Sequence, residues 1–242
     1  MAKRNKKRRG KKSAHKTTAH KHIDPRLPCQ IYLITPPHID DVDGFAHILE
    51  GALKGLPPTA PIAALQIRLK DTPKKRIIET AKTLMPIVHK HGALVIINDD
   101  PDIALECGAD GVHVGQTDMN IKDVKELLPG DAIIGVTCHN SKDLAFEASM
   151  AGADYVAFGA FFDSPTKPEA TQGRPLADVE MLTWWNETME IPCVAIGGMT
   201  PENAGEIIQA GADFIALSSG IWDHPRGPAY ALAQLSALCA LS

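Results

Sequence analysis

The chain has 242 residues, 44% hydrophobic and 22% charged, with 19 glycines, 18 prolines and only 5% aromatic residues. These proportions exclude a collagen-like, disulfide-scaffold or wholly disordered protein, and no apolar run approaches the ~20 residues of a membrane-spanning helix, so a soluble chain with no membrane partner is expected. The formal net charge of -4 is unevenly divided: residues 1–26 hold eleven of the 25 bases and one of the 29 acids (Asp24), leaving 14 bases against 28 acids elsewhere.

Residues 1–26 carry almost no apolar side chains, so burial cannot offset the entropy of ordering them. The composition predicts a disordered basic arm ahead of a single catalytic domain over 27–242. The arm has neither the apolar stretch of a secretory signal nor the alternation of a transit helix. A solubilising tail, or a start placed upstream of the folded chain, accounts for it; the competing reading is nonspecific attraction to nucleic acid or anionic surfaces. The acidic remainder, few aromatics and lack of a binding motif argue against nucleic acid as a dedicated partner. A homo-oligomer is compatible with the sequence.

Beyond the arm, short apolar runs rich in β-branched residues alternate with helical patterns. The runs are Gln30–Ile34, Ala63–Ile67, Leu94–Ile97, Gly111–Val114, Ala132–Val136, Tyr155–Phe158, Cys193–Ile196 and Phe214–Leu217. Largely apolar runs of four or five residues are the pattern of parallel strands buried on both faces. Helices are predicted at Lys74–His89, Ile121–Leu128, Ser141–Met150 and Pro201–Gln209, with caps at Thr72, Ser141 and Thr200 and a kink or break at Pro86. The five cysteines (Cys29, Cys107, Cys138, Cys193 and Cys239) are odd in number and lack a CxxC pair. They suit reduced thiols in a cytoplasm and give no structural zinc site.

One joint recurs three times: Cys107-Gly108-Ala109-Asp110, Ala151-Gly152-Ala153-Asp154 and Ala210-Gly211-Ala212-Asp213, each followed by an apolar run. A glycine takes the left-handed turn past a helix end, and the next strand begins within a few residues. Eight strands with such joints predict an α/β fold of the (β/α)8 TIM-barrel class, in preference to an open doubly wound sheet.

In that architecture chemistry belongs to the carboxyl ends of the strands. Gln66, Arg68 and Lys70 alternate with apolar residues and so point to one side. Two cations aimed into a barrel mouth call for an anionic ligand or, on the competing reading, an inward ion-pair network. Asp99 and Asp118 end adjacent strands, where two carboxylates can share Mg²⁺ with waters and phosphate oxygens; either alone could instead cap a helix. Gly197-Gly198 and Ser218-Ser219-Gly220 follow the last two strands, where barrels commonly hold a phosphate. Two phosphate-type sites at one mouth suggest two small phosphorylated substrates. His113 and His139 are weaker acid–base candidates, Cys138 reads as packing, and Trp184-Trp185 read as packing or contact residues.

In order and spacing, Gln66-Ile67-Arg68-Leu69-Lys70, Ile97-Asn98-Asp99, Gly111 through Asp118, Ser164-Pro165-Thr166-Lys167-Pro168 and Ala195-Ile196-Gly197-Gly198-Met199 resemble the thiamine-phosphate synthase family over roughly residues 30–240. The resemblance implies joining of an aminopyrimidine methyl diphosphate to a thiazole phosphate, giving thiamine phosphate and pyrophosphate by a dissociative, Mg²⁺-dependent reaction. It implies that Gln66, Arg68, Lys70, Asn98, Thr137 and Lys167 contact the pyrimidine diphosphate, with Arg68, Lys70 and Lys167 catalytic. It assigns Mg²⁺ to Asp99 and Asp118, and the thiazole phosphate to Ser164, Thr166, Gly198, Ser218 and Ser219. Leu69, Ala160, Asp163 and Ser218 depart from the family's usual residues, which bears on loop shape and rate. The alternative is the thiazole tautomerase branch, which binds only the thiazole phosphate; there a histidine follows the glycine of the sixth strand, where this chain has Ala160.

Overall fold

Eight parallel strands pair in sequence order and close on themselves, β1 (Gln30–Ile34), β2 (Ile62–Ile67), β3 (Leu94–Asn98), β4 (Gly111–Val114), β5 (Ile133–His139), β6 (Tyr155–Gly159), β7 (Cys193–Ile196) and β8 (Phe214–Leu217). The computed structural model describes residues 28–57, 60–163 and 175–241. The basic arm over 1–26 and the positions Ser164, Thr166 and Lys167 lie outside the described residues. Closure replaces the open-sheet alternative, since β1 pairs with both β2 and β8.

Side chains alternate across each strand, and the alternation divides the core in two. Tyr32, Ile34, Ala64, Ile96, Ile133, Tyr155, Ala157, Val194, Phe214 and Ala216 fill the barrel interior. The opposite faces, with Leu33, Leu65, Ile97, Val112 and Ile215 among them, pack against the surrounding helices. There Phe158 meets the fully buried Trp185 edge to face, with ring centroids 5.2 Å apart. Trp184 is partly exposed beneath the Lys142 ammonium, 4.1 Å from its ring centroid.

The helices are α1 (Val42–Lys54), α2 (Lys74–Lys90), α3 (Pro101–Cys107), α4 (Ile121–Leu127), α5 (Lys142–Ala151), α6 (Val179–Thr188), α7 (Ala204–Gln209), α8 (Ser219–Trp222) and α9 (Pro228–Cys239). No helix among the described residues is long and apolar enough to cross a membrane. Ser141 caps α5 as predicted, its hydroxyl accepting from the Leu144 N–H at 3.2 Å. The other two expected caps differ. Thr72 donates to the Lys70 carbonyl (2.8 Å), and α2 starts after Pro73 without a side-chain cap. The Pro201 segment forms a turn before α7, in which the Thr200 N–H is bound by Asn203 Oδ1 at 2.8 Å, so the helix starts at Ala204. Pro86 does not split α2; the carbonyl that its missing N–H leaves without a partner belongs to exposed Lys82.

In the recurring joint, Gly108, Gly152 and Gly211 all have positive φ (74°, 86° and 95°), as the sequence pattern requires. The aspartate that closes each copy has its own task. Asp110 Oδ2 accepts the Val95 N–H, Asp154 Oδ2 that of Ile134 and Asp213 Oδ2 that of Cys193, each at 2.8 Å. Each carboxylate thus satisfies a backbone donor at the start of the preceding strand, at the end of the barrel away from the rim.

Candidate active site

The rim is built outward from β1 and β2. Thr35 is 1% exposed and holds the two segments together just past their paired strands: its hydroxyl accepts the Arg68 N–H (2.9 Å) and lies 3.2 Å from the Arg68 carbonyl. The Lys70 N–H donates to the Pro37 carbonyl at 2.8 Å. These bonds carry the pairing past the ladder to the turn at Lys70 and Asp71, and Gln66 points into the barrel, where it meets Tyr32. Gln66 is buried, while Arg68 and Lys70 are partly exposed above it. Among the described residues neither cation is ion-paired, so the inward salt-bridge network weighed above is not formed there.

Asn98 ends β3 in register with His113 of β4. Asp99 follows with φ 65°, a left-handed backbone rare outside glycine, and its N–H is held by the His113 carbonyl at 2.7 Å. Asp118 closes the loop after β4 by accepting the Gly115 N–H on Oδ2 at 2.7 Å. Neither acid caps a helix. That role falls to Asp100, which bonds the Ile103 N–H of α3, and to Asn120, which bonds the Asp123 N–H of α4. The Lys74 ammonium also pairs with Asp100, at 2.7 Å. No group of three or more potential metal ligands assembles among the described residues. Two carboxylates at neighbouring strand ends, with the rest of a coordination sphere open to waters and phosphate oxygens, is a donor set that fits Mg²⁺.

Strand β5 runs three residues further than its apolar run indicates, so Thr137, Cys138 and His139 belong to the strand. The register with β6 shifts between Thr137 and His139, and alternation places Cys138, like Val136, in the apolar layer outside the barrel. There burial pushes its thiol up to about 12, so it is no nucleophile at neutral pH. Thr137 Oγ1 lies 2.7 Å from His113 Nε2, and its carbonyl accepts from Gln116 Nε2 at 2.6 Å. His113 is therefore a hydrogen-bonded interior residue. His139, with φ 54°, stands at the strand end.

Behind this layer lies a feature the sequence reading did not single out. Tyr155 Oη is 3.0 Å from His113 Nδ1 and 2.8 Å from Tyr32 Oη, which in turn accepts from Gln66 Nε2 at 3.3 Å. His113, Gly135 and Tyr155 are side by side on β4, β5 and β6. Only because the middle position lacks a side chain do the His113 and Tyr155 rings stack, with centroids 5.6 Å apart. A Cβ on Gly135 would lie 1.9 Å from Tyr155 Cζ.

On the far side of the mouth the loops after β7 and β8 touch: a Cβ on Gly220 would fall 2.2 Å from the Met199 carbonyl oxygen. Gly198 has φ 63° and leaves no room for a side chain, since a Cβ there would meet the Asp163 carbonyl oxygen at 2.4 Å. Ser218 donates its hydroxyl to the Thr35 carbonyl at 3.0 Å, and Trp222 Nε1 donates to the Ile34 carbonyl at 2.6 Å. These two bonds lock the β8–α8 turn onto β1. The Ser218 hydroxyl hydrogen is thus engaged within the fold, which leaves Ser219 and the backbone N–H groups of the two glycine loops as donors on that side.

The structure therefore brings Gln66, Arg68, Lys70, Asn98, Asp99, Asp118 and Thr137 to one arc of the rim and Gly198, Ser218 and Ser219 to the other. Residues 31–221 match the family model described as thiamine monophosphate synthase. A thiamine-phosphate synthase of Rhodospirillum centenum is 49% identical over 208 residues, covering 86% of this chain and 96% of that protein. One of Hyphomonas neptunium is 44% identical over 220 residues, covering 88% and 95%. Among solved structures, the thiamine phosphate pyrophosphorylase of Pyrococcus furiosus superposes with a TM-score of 0.74 at 30% identity, over 88% of this chain and 96% of that one.

Proposed function

The chain belongs to the thiamine monophosphate synthase family, and from that premise we propose that it condenses an aminopyrimidine methyl diphosphate with a thiazole phosphate, releasing pyrophosphate and forming thiamine phosphate. The observation that carries this reading is the division of the rim: cations and carboxylates on the β2–β5 arc, glycine loops with a serine on the β7–β8 arc.

In this reading the first arc takes the pyrimidine diphosphate. Gln66, Asn98 and Thr137 orient it, and Arg68 and Lys70, joined by Lys167, neutralise the charge that grows as the methylene carbon–oxygen bond breaks. Asp99 and Asp118 would hold Mg²⁺, which when bound supplies further positive charge to the departing pyrophosphate oxygens. The amino-substituted pyrimidine spreads the positive charge left on the methylene carbon, and the thiazole nitrogen closes the new carbon–nitrogen bond. No protein nucleophile is needed. Gly198 and Ser219, with Ser164 and Thr166, hold the thiazole phosphate. All five cysteines are buried, and reduced side chains there would suit a reducing cytoplasm.

The tautomerase alternative lacks support at its defining position. Ala160 is buried, and its Cβ would lie 2.3 Å from a Cβ on Gly197, so a close-packed methyl group stands where that reaction requires an imidazole. The test is to incubate the purified chain with both substrates and Mg²⁺ and resolve the products by chromatography. Thiamine phosphate and stoichiometric pyrophosphate are expected; isomerisation of a thiazole carboxylate phosphate without condensation would overturn the assignment.

A further inference from the structure

Gln66, Tyr32, Tyr155, His113 and Thr137 form an unbroken hydrogen-bonded line through the barrel interior, with links of 3.3, 2.8, 3.0 and 2.7 Å. Each link has one proton, so the direction of one link fixes the rest. The amide nitrogen of Gln66 only donates, which makes Tyr32 Oη an acceptor at that end. Both tyrosines are deeply buried, and burial raises their pKa values, so each keeps a hydroxyl hydrogen to place. Among the described residues no buried side-chain nitrogen or oxygen lacks a partner. The Tyr32 hydrogen then goes to Tyr155 Oη, and the Tyr155 hydrogen to His113 Nδ1. An accepting Nδ1 means a neutral imidazole with its proton on Nε2, and that proton goes to Thr137 Oγ1. The hydroxyl hydrogen of Thr137, at the partly exposed end of the line, is left to donate outward.

We infer that Tyr32 and Tyr155 are positioning residues: with Gln66 they polarise His113 into its Nε2–H form and so make the Thr137 hydroxyl a donor toward the rim. The inference rests on the reading of that arc as the pyrimidine diphosphate site. It gives two buried tyrosines of the barrel interior control over a donor at the departing oxygen. It also accounts for Gly135, whose missing side chain is what allows Tyr155 to reach His113 across the intervening strand.

The direct test is the ¹⁵N spectrum of the histidine rings in the full chain, with His113 assigned by its disappearance in His113→Asn. A bare Nδ1 and a protonated Nε2 are expected. The opposite polarity, with Gln66 turned so that its oxygen accepts from Tyr32, would put the proton on Nδ1 and turn the Thr137 hydrogen inward; that spectrum, or an imidazolium, overturns the inference. Tyr155→Phe removes the donor to Nδ1 at almost constant shape. It should mix the two His113 tautomers and lower kcat about tenfold, with KM for the thiazole phosphate within about twofold, because misdirection of one group weakens the transition state more than the ground state. Tyr32→Phe should do less, since Tyr155 still donates. A Tyr155→Phe enzyme with wild-type kcat and an unmoved tautomer also refutes the idea. If Tyr155→Phe fails to fold, the wild-type spectrum still decides. Absence of synthase activity in the wild type would count against the proposed function while leaving the tautomer measurement intact.

Discussion

Asp99 and Asp118 are well suited to isosteric replacement. Asn tolerates the left-handed backbone of position 99, and at position 118 its amide oxygen still accepts the Gly115 N–H. Asp99→Asn and Asp118→Asn should therefore fold normally yet lower turnover by at least about 10²-fold, the several kcal/mol that metal-borne charge supplies. Wild-type turnover by both variants in EDTA would remove the metal assignment. Arg68→Ala and Lys167→Ala test the cations: each should reduce kcat by about 10²-fold, the lower range for losing one donor to developing charge, with thiazole phosphate affinity little changed. Weak thiazole binding with normal saturated turnover would move the residue to the other arc. Gly135→Ala drives a methyl group into the Tyr155 ring and should destabilise the fold by about 1–3 kcal/mol, readable as a lowered melting temperature. These residues differ in how visible they are in the sequence. Gln66, Arg68 and Lys70 show themselves by period-two alternation of polar with apolar residues. Tyr32 and Tyr155 do not, because a tyrosine inside an apolar strand looks like core until its hydroxyl partner, over a hundred residues away for this pair, is placed.

The elements were legible where local chemistry decides them. Apolar runs gave all eight strands to within a few residues, since no other element satisfies so short a buried segment between helices. Helix starts were less legible: Thr72 and Thr200 have good capping chemistry but precede prolines whose loops turn before the helix begins. The recurring Gly-Ala-Asp joint was legible in its glycine and silent in its aspartate, whose backbone partner lies fifteen to twenty residues earlier. Asp213 offers a test. Burial holds its carboxyl above the ordinary value of 3.8. Between 3.8 and that raised value the folded protein keeps a proton that the unfolded chain has lost, so this group's contribution to stability falls as pH rises through the interval. Asp213→Asn keeps an acceptor for the Cys193 N–H without the charge, and its melting temperature should decline less than that of the wild type from about pH 4 to pH 7. Asp213→Ala leaves that buried N–H unsatisfied and should cost about 1–3 kcal/mol at either pH. Parallel pH profiles for wild type and Asp213→Asn would show that Asp213 ionises without penalty.

At the scale of the molecule, residues 1–26 are expected to find little hold on the barrel. A segment can join a fold by adding a strand to an open edge or by burying an apolar face, and closure removes the first route among the eight strands. Strand β1 is already paired on both sides, and its first N–H is taken by the Asp213 carbonyl at 2.9 Å. The second route needs apolar side chains, which residues 1–26 almost entirely lack. What remains is attraction between eleven bases in the arm and the excess of acids in the rest, and salt screens such exposed charges over about 8 Å at physiological ionic strength. Deleting residues 1–26 should therefore shift the melting temperature by less than about 2 °C and turnover by less than about twofold at that ionic strength. Any affinity of the full chain for DNA should disappear with the arm and should fall steeply with added salt beforehand. A loss of more than about 5 °C, corresponding to more than about 1 kcal/mol for a domain of this size, would mean that the arm packs on the barrel and that the domain begins before residue 27.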